Sequence, residues 1–287
     1  MILQGTHYDI DGSIYHADPC PEPSLSASIA KIIWQESPAH AREHHPRLNL
    51  DFVPVNKRQF DLGAAAHAVL LEGDESNLVI VEADNYRTKA AQETRDAAYD
   101  SGLIPLFESN LTDVREMARI AKNFIEETEL AGIFEVGNSE VTLVEFSDGF
   151  GKRCRLDWLT NDRFIILDYK TTGGSSKPET WIRRMLFPLH YDIQAYLYLY
   201  LNGLTGGVKE AKFIWLVQEN EKPYACSLVG ASPSVIESGK KKFKYAVHKW
   251  KYCIEHDKWP AHDSRIHWAE SPSWNMAEVE ERGNCEK

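Results

Sequence analysis

Two acidic residues and a lysine lie on consecutive apolar segments near the middle of the chain. Asp157 stands near the end of the first segment, and Asp168 and Lys170 stand two residues apart on the second. Because side chains alternate along a strand, Asp168 and Lys170 share one face while Tyr169 points away from it. Two carboxylates bind a hard divalent cation, and a neighbouring lysine can orient or deprotonate a metal-activated water. This spacing predicts a metal-dependent phosphodiesterase site, with a surface hairpin carrying an Asp–Lys pair as the alternative.

A histidine upstream of these strands lies on a predicted helix of small, closely packing residues. The helix begins near Asp61, carries the motif Gly63-x-x-x-His67 and ends at Gly73, a residue type that favours the left-handed backbone of a helix terminus. Neutral imidazole is a good metal ligand beside two carboxylates. By itself, a lone histidine among apolar neighbours nevertheless indicates a satisfied core residue, with a metal ligand as the alternative.

Two further helices flank this pattern in the sequence. Gln194 and Tyr198 are four residues apart, which places them on one face of a helix that follows the lysine strand. If this pair has no functional role, the segment is simply a tyrosine-rich helix of the core. Near the start of the chain, Ser24 or Ser26 is the predicted N-cap of a short helix that a Ser-Pro pair ends.

The order of these elements resembles the PD-(D/E)xK nuclease superfamily, and within it the exodeoxyribonuclease VIII-like and RecB-type nucleases of phages and prophages. The resemblance covers about residues 24–220. It implies an α/β protein with a restriction-endonuclease-like core, in which helices flank a central mixed sheet. It also implies the role of each site residue: His67, Asp157, Asp168 and the Tyr169 carbonyl as metal ligands, Lys170 as the residue that orients water, and Gln194 and Tyr198 beside Lys170 or the phosphate.

The same resemblance implies a magnesium- or manganese-dependent DNA exonuclease that works from duplex ends, in phage-type homologous recombination or end resection. Its partners would be double-stranded DNA, a single-strand annealing protein and further copies of the chain in a homo-oligomer. One alternative is a structure-specific endonuclease or a repair nuclease that works with a helicase. The other is a catalytically silent DNA-binding protein on the same fold, against which the intact set of metal-site residues argues.

The net charge of −11 is unusual for a DNA enzyme, because binding phosphates requires lysine and arginine. Basic residues are nevertheless concentrated in a lysine-rich predicted helix at 239–251 and in an arginine pair that follows the glycine-rich loop at 171–176. For the helix, a solvated lysine face is the alternative to a DNA contact. The candidate DNA-binding residues are Arg183, Arg184, Lys240, Lys241, Lys244 and Lys251.

A length of 287 residues suits one large domain. We expect an N-terminal arm at residues 1–23, a nuclease domain at 24–265 and a C-terminal tail at 266–287. Five scattered cysteines without a C-x-x-C motif predict reduced thiols rather than a zinc site or an iron–sulfur cluster. No apolar run approaches the length of a membrane span, so we expect a soluble protein of the cytoplasm, or of the host cytoplasm if a phage encodes it.

The segments between these motifs give a coarse secondary-structure prediction. Residues 141–170 alternate in polarity and contain two turn sequences, which predicts a meander of three strands. Glu140, at its start, is predicted to cap the segment or to form an ion pair. His44 and His45 are predicted on the surface, because neither has a partner at metal-ligand spacing. In the lysine-rich helix the predicted buried stripe consists of Phe243, Val247, Trp250 and Ile254.

Overall fold

The computed structural model describes residues 1–53 and 61–283. In chain order its strands are β1 (Gly5–His7), β2 (Leu78–Val81), β3 (Ile104–Phe107), β4 (Gly137–Glu145), β5 (Lys152–Thr160), β6 (Ile165–Thr172), β7 (Lys212–Glu219) and β8 (Cys226–Gly230). Its helices are α1 (Gly12–His16), α2 (Ala27–Gln35), α3 (Pro38–Glu43), α4 (Asp61–His67), α5 (Lys89–Asp100), α6 (Glu108–Glu126), α7 (Pro178–Trp181), α8 (Tyr191–Leu204), α9 (Pro233–His256) and α10 (Ser273–Gly283). Two π-helical turns, Ala68–Glu72 and Ile182–Leu186, extend α4 and α7.

One mixed sheet contains six strands in the order β1-β4-β5-β6-β7-β8. Neighbouring strands are antiparallel except for β6 and β7, which run parallel. A parallel pair needs a crossover connection, and here α7 and α8 form it. The predicted meander is confirmed as β4, β5 and β6, each antiparallel to the strand before it. Strands β2 and β3 form a separate parallel pair.

Helices cover both faces of this sheet. On one face α2, α8 and α9 pack over a core that contains Leu143 and Leu156, and on the other α4 and α6 pack over a core that contains Leu167. Trp215 and Leu216 follow each other on β7 and enter opposite cores, because side chains alternate across a strand. The predicted α/β class, with a central mixed sheet flanked by helices, is confirmed.

The lysine-rich helix α9 is longer than the predicted segment and packs along α2 and α8. The predicted buried stripe was wrong at Ile254, which is exposed, and at Val247, which is only partly buried. The face that α9 buries is set jointly by α2 and α8, and the sequence of α9 alone does not fix it. The residues that it buries at helical spacing are Phe243, Ala246, Trp250 and Cys253.

The close approach of α9 to α8 depends on Gly239. A Cβ at this position would lie 1.9 Å from the backbone carbonyl oxygen of Asp192. No side chain fits such a contact, so the glycine sets the spacing between the two helices. The buried carboxylate of Asp192 joins them further, because its Oδ2 lies 2.7 Å from Lys242 Nζ and accepts a hydrogen bond from Ser238 Oγ, also at 2.7 Å.

The first helices begin at serine caps. Ser26 caps α2, with Ile29 N donating to its hydroxyl oxygen at 3.3 Å. The Ser37-Pro38 pair ends this helix as predicted, and it also starts α3, where Ser37 is the N-cap and Pro38 the first helical residue.

The N-terminal residues belong to the fold instead of forming the predicted arm. β1 pairs with β4, and Asp18 lies buried with its carboxylate 3.0 Å from Arg153 Nη1 and 3.2 Å from His45 Nε2. The prediction that His45 lies on the surface was therefore wrong, whereas His44 is exposed. A three-residue strand shows no periodicity, and the partners of Asp18 are distant in sequence, so neither feature could be read locally.

The predicted C-terminal tail contains the helix α10, none of whose residues is buried. The four cysteines in the described part of the chain, Cys20, Cys154, Cys226 and Cys253, are free as predicted, and Cys285 lies outside it. Residues 54–60 of the predicted loop at 42–60 also lie outside it. None of the helices described is long and apolar enough to cross a membrane.

Candidate active site

The candidate site lies where β5 and β6 part. Their register ends at the pair Trp158–Leu167. One residue further, the side chain of Asp157 takes the place of a backbone partner, because its Oδ2 accepts a hydrogen bond from Tyr169 N at 2.9 Å. The strands that carry Asp157 and Asp168 are thus joined, at the point where the sheet opens, by the carboxylate of Asp157.

His67 reaches this opening from α4. A Cβ on Gly63 would lie 2.7 Å from Thr171 Oγ1, so the missing side chain allows the helix to rest directly on β6. His67 follows one turn later, and its Nε2 lies 3.3 Å from Asp157 Oδ2 and 3.5 Å from Glu140 Oε1. The spacing of the Gly-x-x-x-His motif therefore has a packing reason as well as a chemical one.

Glu140 supplies a further carboxylate at the same place. The pairs Ser139–Trp158 and Val141–Leu156 flank it, which sets it opposite Asp157 on the neighbouring strand. Its backbone has φ +56°, a left-handed conformation that is uncommon away from glycine. The sequence predicted a cap or an ion pair, and Glu140 does form an ion pair with Arg155. Its contact with His67 was not predicted.

Glu72, in the π-helical turn after His67, was missed by the sequence prediction. One ligand atom each from His67, Glu72 and Glu140 lies within 4.8 Å of the others, which is the spacing of groups that can hold a metal ion. The donor set of one imidazole and several carboxylates fits a divalent cation that takes both nitrogen and oxygen ligands. No spacing in the sequence marks Glu72, because its position depends on the π-helical turn.

The electrostatics of His67 support this fit. Burial alone would lower the pKa of its imidazole, but the carboxylates of Asp157 and Glu140 outweigh that cost and raise the pKa to about 9. The protonated ring therefore supplies positive charge between two carboxylates. The pKa of Asp157 is lowered, since His67 and Lys170 together outweigh the effect of its burial. The group of acidic side chains thus favours a cation at this point.

Asp168 and Lys170 form the second half of the site. Asp168 is fully buried; its Oδ1 accepts a hydrogen bond from Gln194 Nε2 at 2.7 Å, and its Oδ2 forms an ion pair with Lys170. Burial, and then the charge of Asp157, raise the pKa of Asp168 to about 6. Burial works against the charged form of Lys170, but the two aspartates outweigh it and raise the pKa of the ammonium group. Lys170 therefore acts as a fixed positive charge and is poorly suited to remove a proton.

Two residues of the predicted site have a supporting position. Gln194 contacts the Asp168 carboxylate, whereas its predicted contact was with Lys170 or the phosphate. Tyr198, one turn further along α8, is buried in the core with its ring packed edge to face on Phe213 at 5.9 Å. The role of Tyr169 as a ligand through its carbonyl remains a prediction, and its observed contribution is the N–H bonded to Asp157.

The DNA-binding role of the basic residues singled out from the sequence remains a prediction. Arg183 and Arg184 are exposed on the π-helical turn that extends α7. Lys240 and Lys241 lie 3.6 and 3.9 Å from the carboxylate of Glu237, so part of their charge is neutralised. The other two residues of this set are an exposed Lys244 and Lys251, whose Nζ lies 5.8 Å from the centre of the Phe150 ring.

Comparison with known proteins gives the family and the fold. Residues 26–271 match the family described as a PDDEXK-like domain of unknown function (DUF3799). No curated protein sequence matches the chain. The crystal structure of a candidate exonuclease from Eubacterium rectale covers 93% of this chain and 98% of its own, with a TM-score of 0.59 and 11% identity, a likeness in fold alone. The structure of SSO0001 covers 72% of this chain and 97% of its own with 16% identity, but its TM-score of 0.29 is too low to indicate a common fold. Since the match spans most of the sequence and includes every residue of the candidate site, the chain belongs to this PDDEXK-like family.

Proposed function

We propose that this chain is a DNA nuclease that depends on magnesium or manganese and hydrolyses phosphodiester bonds from duplex ends. The observation that carries the proposal is the convergence of His67, Glu140 and Asp157 with the Asp168–Lys170 pair where β5 and β6 part. Membership of a PDDEXK-like family supports a nuclease. The name of the structural neighbour supports the exonuclease mode.

A divalent cation, when bound, would polarise the scissile phosphate and acidify a water molecule. His67, Asp157 and Asp168 would hold it, with Glu72, Glu140 and the Tyr169 carbonyl as further oxygen ligands. For His67 to bind, its Nε2 must lose the proton that the two carboxylates stabilise in the metal-free protein. The Tyr169 N–H keeps the Asp157 carboxylate in place during this exchange.

Lys170 has the clearest role among the residues that do not hold the cation. Because its ammonium group keeps its proton, it stabilises the negative charge that develops on the phosphate and orients the attacking water through Nζ–H. Gln194 holds the Asp168 carboxylate, which in turn fixes Lys170. Gln194 is therefore a positioning residue, and Tyr198 supports the same helix from the core.

The biological setting belongs to the same proposal. A role in phage-type recombination or end resection, with a single-strand annealing protein as partner, follows from the resemblance to exodeoxyribonuclease VIII. A ring-like homo-oligomer would enclose duplex DNA, so that the enzyme stays on its substrate without a strongly basic surface. This suits a chain with a net charge of −11, in which a few lysines facing a channel would bind the backbone.

The test compares digestion of linear, nicked and covalently closed circular duplex with Mg²⁺, with Mn²⁺ and with chelator, while light scattering gives the mass in solution. We expect the protein to be an oligomer in solution. It should degrade linear DNA but neither circular form, and only when metal is present. Asp168→Asn should be inactive, and Asp263→Asn, a change at an exposed aspartate, is the matched control. Rapid cutting of closed circles by a monomer would favour the endonuclease alternative, and DNA binding without cleavage under any metal would favour the silent one.

A further inference from the structure

A tyrosine ring next to the active site lies between two lysines. The Nζ of Lys170 is 5.6 Å from the centre of the Tyr191 ring, and the Nζ of Lys31, on α2, is 4.6 Å from it. Burial and the nearby charge of Lys170 lower the pKa of Lys31 to about 7. Lys31 forms no ion pair with a residue in the described ranges. Near neutral pH Lys31 is therefore only partly charged, and an anionic group bound between the two lysines would favour its charged form.

Exposed aromatic rings continue from this point. Trp34 lies one turn after Lys31 on α2, and its side chain is 39% exposed. Its ring meets Tyr245 of α9 edge to face at 5.4 Å and His190 at 6.4 Å. Tyr245 is itself 44% exposed, and Lys249 Nζ lies 5.5 Å from the centre of its ring. Perpendicular packing holds these rings in place while leaving much of their surface open.

We name this surface the aromatic strip, and it consists of Lys31, Tyr191, Trp34, Tyr245 and Lys249. Tyr191 contacts both Lys31 and Lys170, and Tyr245 contacts both Trp34 and Lys249. The two groups are linked because Trp34 follows Lys31 by one turn of α2 and its ring contacts His190, the residue before Tyr191. The strip crosses from α2 to α9, which pack directly against each other. The strip therefore leads from the candidate active site to an outer helix.

The same face of α9 extends the strip. Residues at intervals of three and four lie on one side of a helix, so Lys241 and Tyr252 share this side with Tyr245. Tyr252 is exposed to the same degree as Tyr245, and its ring stacks on His256 with the centres 4.4 Å apart. Cationic and aromatic side chains thus alternate along the exposed face of α9.

The charges around the strip leave two lysines available. Lys242 lies in an ion pair with the buried Asp192 and is neutralised there. Lys241 lies 3.9 Å from Glu237 and is partly neutralised. By contrast, Lys31 and Lys249 make no ion pair within the part of the chain that the structure describes. In a protein of net charge −11, two unpaired lysines that flank exposed rings mark a local site for anions.

We infer that the aromatic strip binds single-stranded DNA beside the active site, with bases stacked on Trp34 and Tyr245 and phosphates at Lys31 and Lys249. This inference rests on the proposed function, since it names the form of DNA that lies next to the cutting site. In a duplex the faces of the bases are covered by their neighbours, whereas unpaired bases offer them to aromatic rings. A strip that combines rings with lysines therefore fits a single strand better than a double helix.

The test measures fluorescence anisotropy of a labelled oligothymidylate of about 12 nucleotides, a length within the range of single-strand sites. Chelator is present, so binding is separated from cleavage. We expect Trp34→Ala and Tyr245→Ala each to weaken binding by about 5- to 150-fold, the range for loss of one stacked base. Trp34→Phe and Tyr245→Phe keep a ring and should bind within a few-fold of the original chain. Trp268→Ala and Tyr8→Ala, at exposed rings outside the strip, are the matched controls.

An oligonucleotide of the same length without bases separates stacking from charge. We expect the original chain to bind it weakly, and Trp34→Ala to bind it no more weakly than the original chain does. Equal affinity of all the alanine variants for oligothymidylate would overturn the inference and leave the strip for a protein partner. That result is distinct from failure of the proposed function, which would appear as tight single-strand binding without DNA cleavage under any metal.

Discussion

Two histidine–aspartate pairs in this protein have nearly the same length and opposite settings. His45 Nε2 lies 3.2 Å from Asp18 Oδ2, and neither side chain is exposed. His67 Nε2 lies 3.3 Å from Asp157 Oδ2, with 24% and 16% of the two side chains exposed. The residue types and the distance are alike, so the difference between a structural pair and a candidate ligand pair must lie in the surroundings.

Around Asp18 the chain itself supplies every needed donor. Its carboxylate accepts hydrogen bonds from Ser24 N at 2.8 Å and Ser24 Oγ at 2.7 Å, and lies 3.0 Å from Arg153 Nη1. Burial would raise the pKa of Asp18, but the bond from His45 and the charge of Arg153 outweigh it and lower the pKa to about 2. Such a saturated pair stabilises the fold, joining the N-terminal residues to β5, and has no room for a ligand.

Around Asp157 acceptors outnumber donors. A second carboxylate, Glu140, faces the same imidazole, and the opening between the strands admits solvent. His67 has to serve both carboxylates with one nitrogen, and the pKa of its ring rises accordingly. A surplus of carboxylate oxygens at an accessible point is what a divalent cation requires. The balance of donors and acceptors, together with exposure, therefore separates the two pairs.

We call His67–Asp157 the open pair and His45–Asp18 the buried pair. The largest expected effect is on catalysis when the open pair is changed. Asp157→Asn keeps the size of the side chain and removes a ligand charge, so cleavage of linear duplex should fall by about 10³-fold or more. The melting temperature should fall only modestly: the lowered pKa of Asp157 shows that its charge stabilises the fold, but an asparagine can still accept the hydrogen bond from Tyr169 N. Single-turnover cleavage and melting of the same preparation measure both. An active Asp157→Asn enzyme would remove the open pair from the site.

The buried pair should respond in the opposite way. Asp18→Asn leaves the buried Arg153 cation without its counter-charge, which should lower the free energy of unfolding by about 3 kcal/mol. Because the folded pKa of Asp18 is below its ordinary 3.8, the stabilisation is present above about pH 4 and is lost as the pH falls towards 2. Urea unfolding of both proteins across this range measures it. A difference that stayed constant down to pH 2 would contradict the assignment.

Removal of each histidine should sharpen the comparison. His67→Ala should raise the metal concentration for half-maximal activity by about 10- to 100-fold, because an imidazole ligand is lost. His45→Ala should lower the melting temperature and leave that concentration unchanged. A metal titration of activity on both variants decides this. If His67→Ala titrates like the original chain but melts much lower, His67 is a core histidine.

The smallest expected effect is a dependence of metal affinity on pH, which should come from the open pair alone. The pKa of His67 is raised to about 9 in the metal-free protein, so below this pH a metal ion must displace a proton from Nε2. Apparent metal affinity should therefore rise about tenfold from pH 7 to pH 8, since one proton is released. Calorimetric titration with Mn²⁺ in buffers of different ionisation enthalpy counts that proton. The count should drop in His67→Ala and stay the same in His45→Ala.

The parts of the site that sequence could predict are those fixed by local spacing. Alternation on β6 placed Asp168 with Lys170, and helical periodicity placed Gly63 with His67 and Gln194 on its helix. The meander was predictable because its turns and alternation are local.

The remaining features depend on contacts between distant segments. Glu140 joins the site through its register with β5 and a left-handed backbone, and Glu72 joins it through a π-helical turn. The burial of His45 follows from Asp18, which lies 27 positions earlier in a segment without periodicity. Trp34 meets Tyr245 only because α2 and α9 pack together. Such pairings are set by tertiary packing and leave no periodic signal in the sequence.

The most direct test of the account is the rate of linear duplex cleavage as a function of Mg²⁺ concentration for three proteins at equal folded concentration. The original chain should show no cleavage with chelator and a saturable rise with metal. Asp18→Asn should follow the same curve, and Asp157→Asn should stay at the baseline throughout. A metal-independent rate in the original chain, or superimposable curves for the original chain and Asp157→Asn, would contradict the claim that the opening between β5 and β6 is a metal-dependent nuclease site.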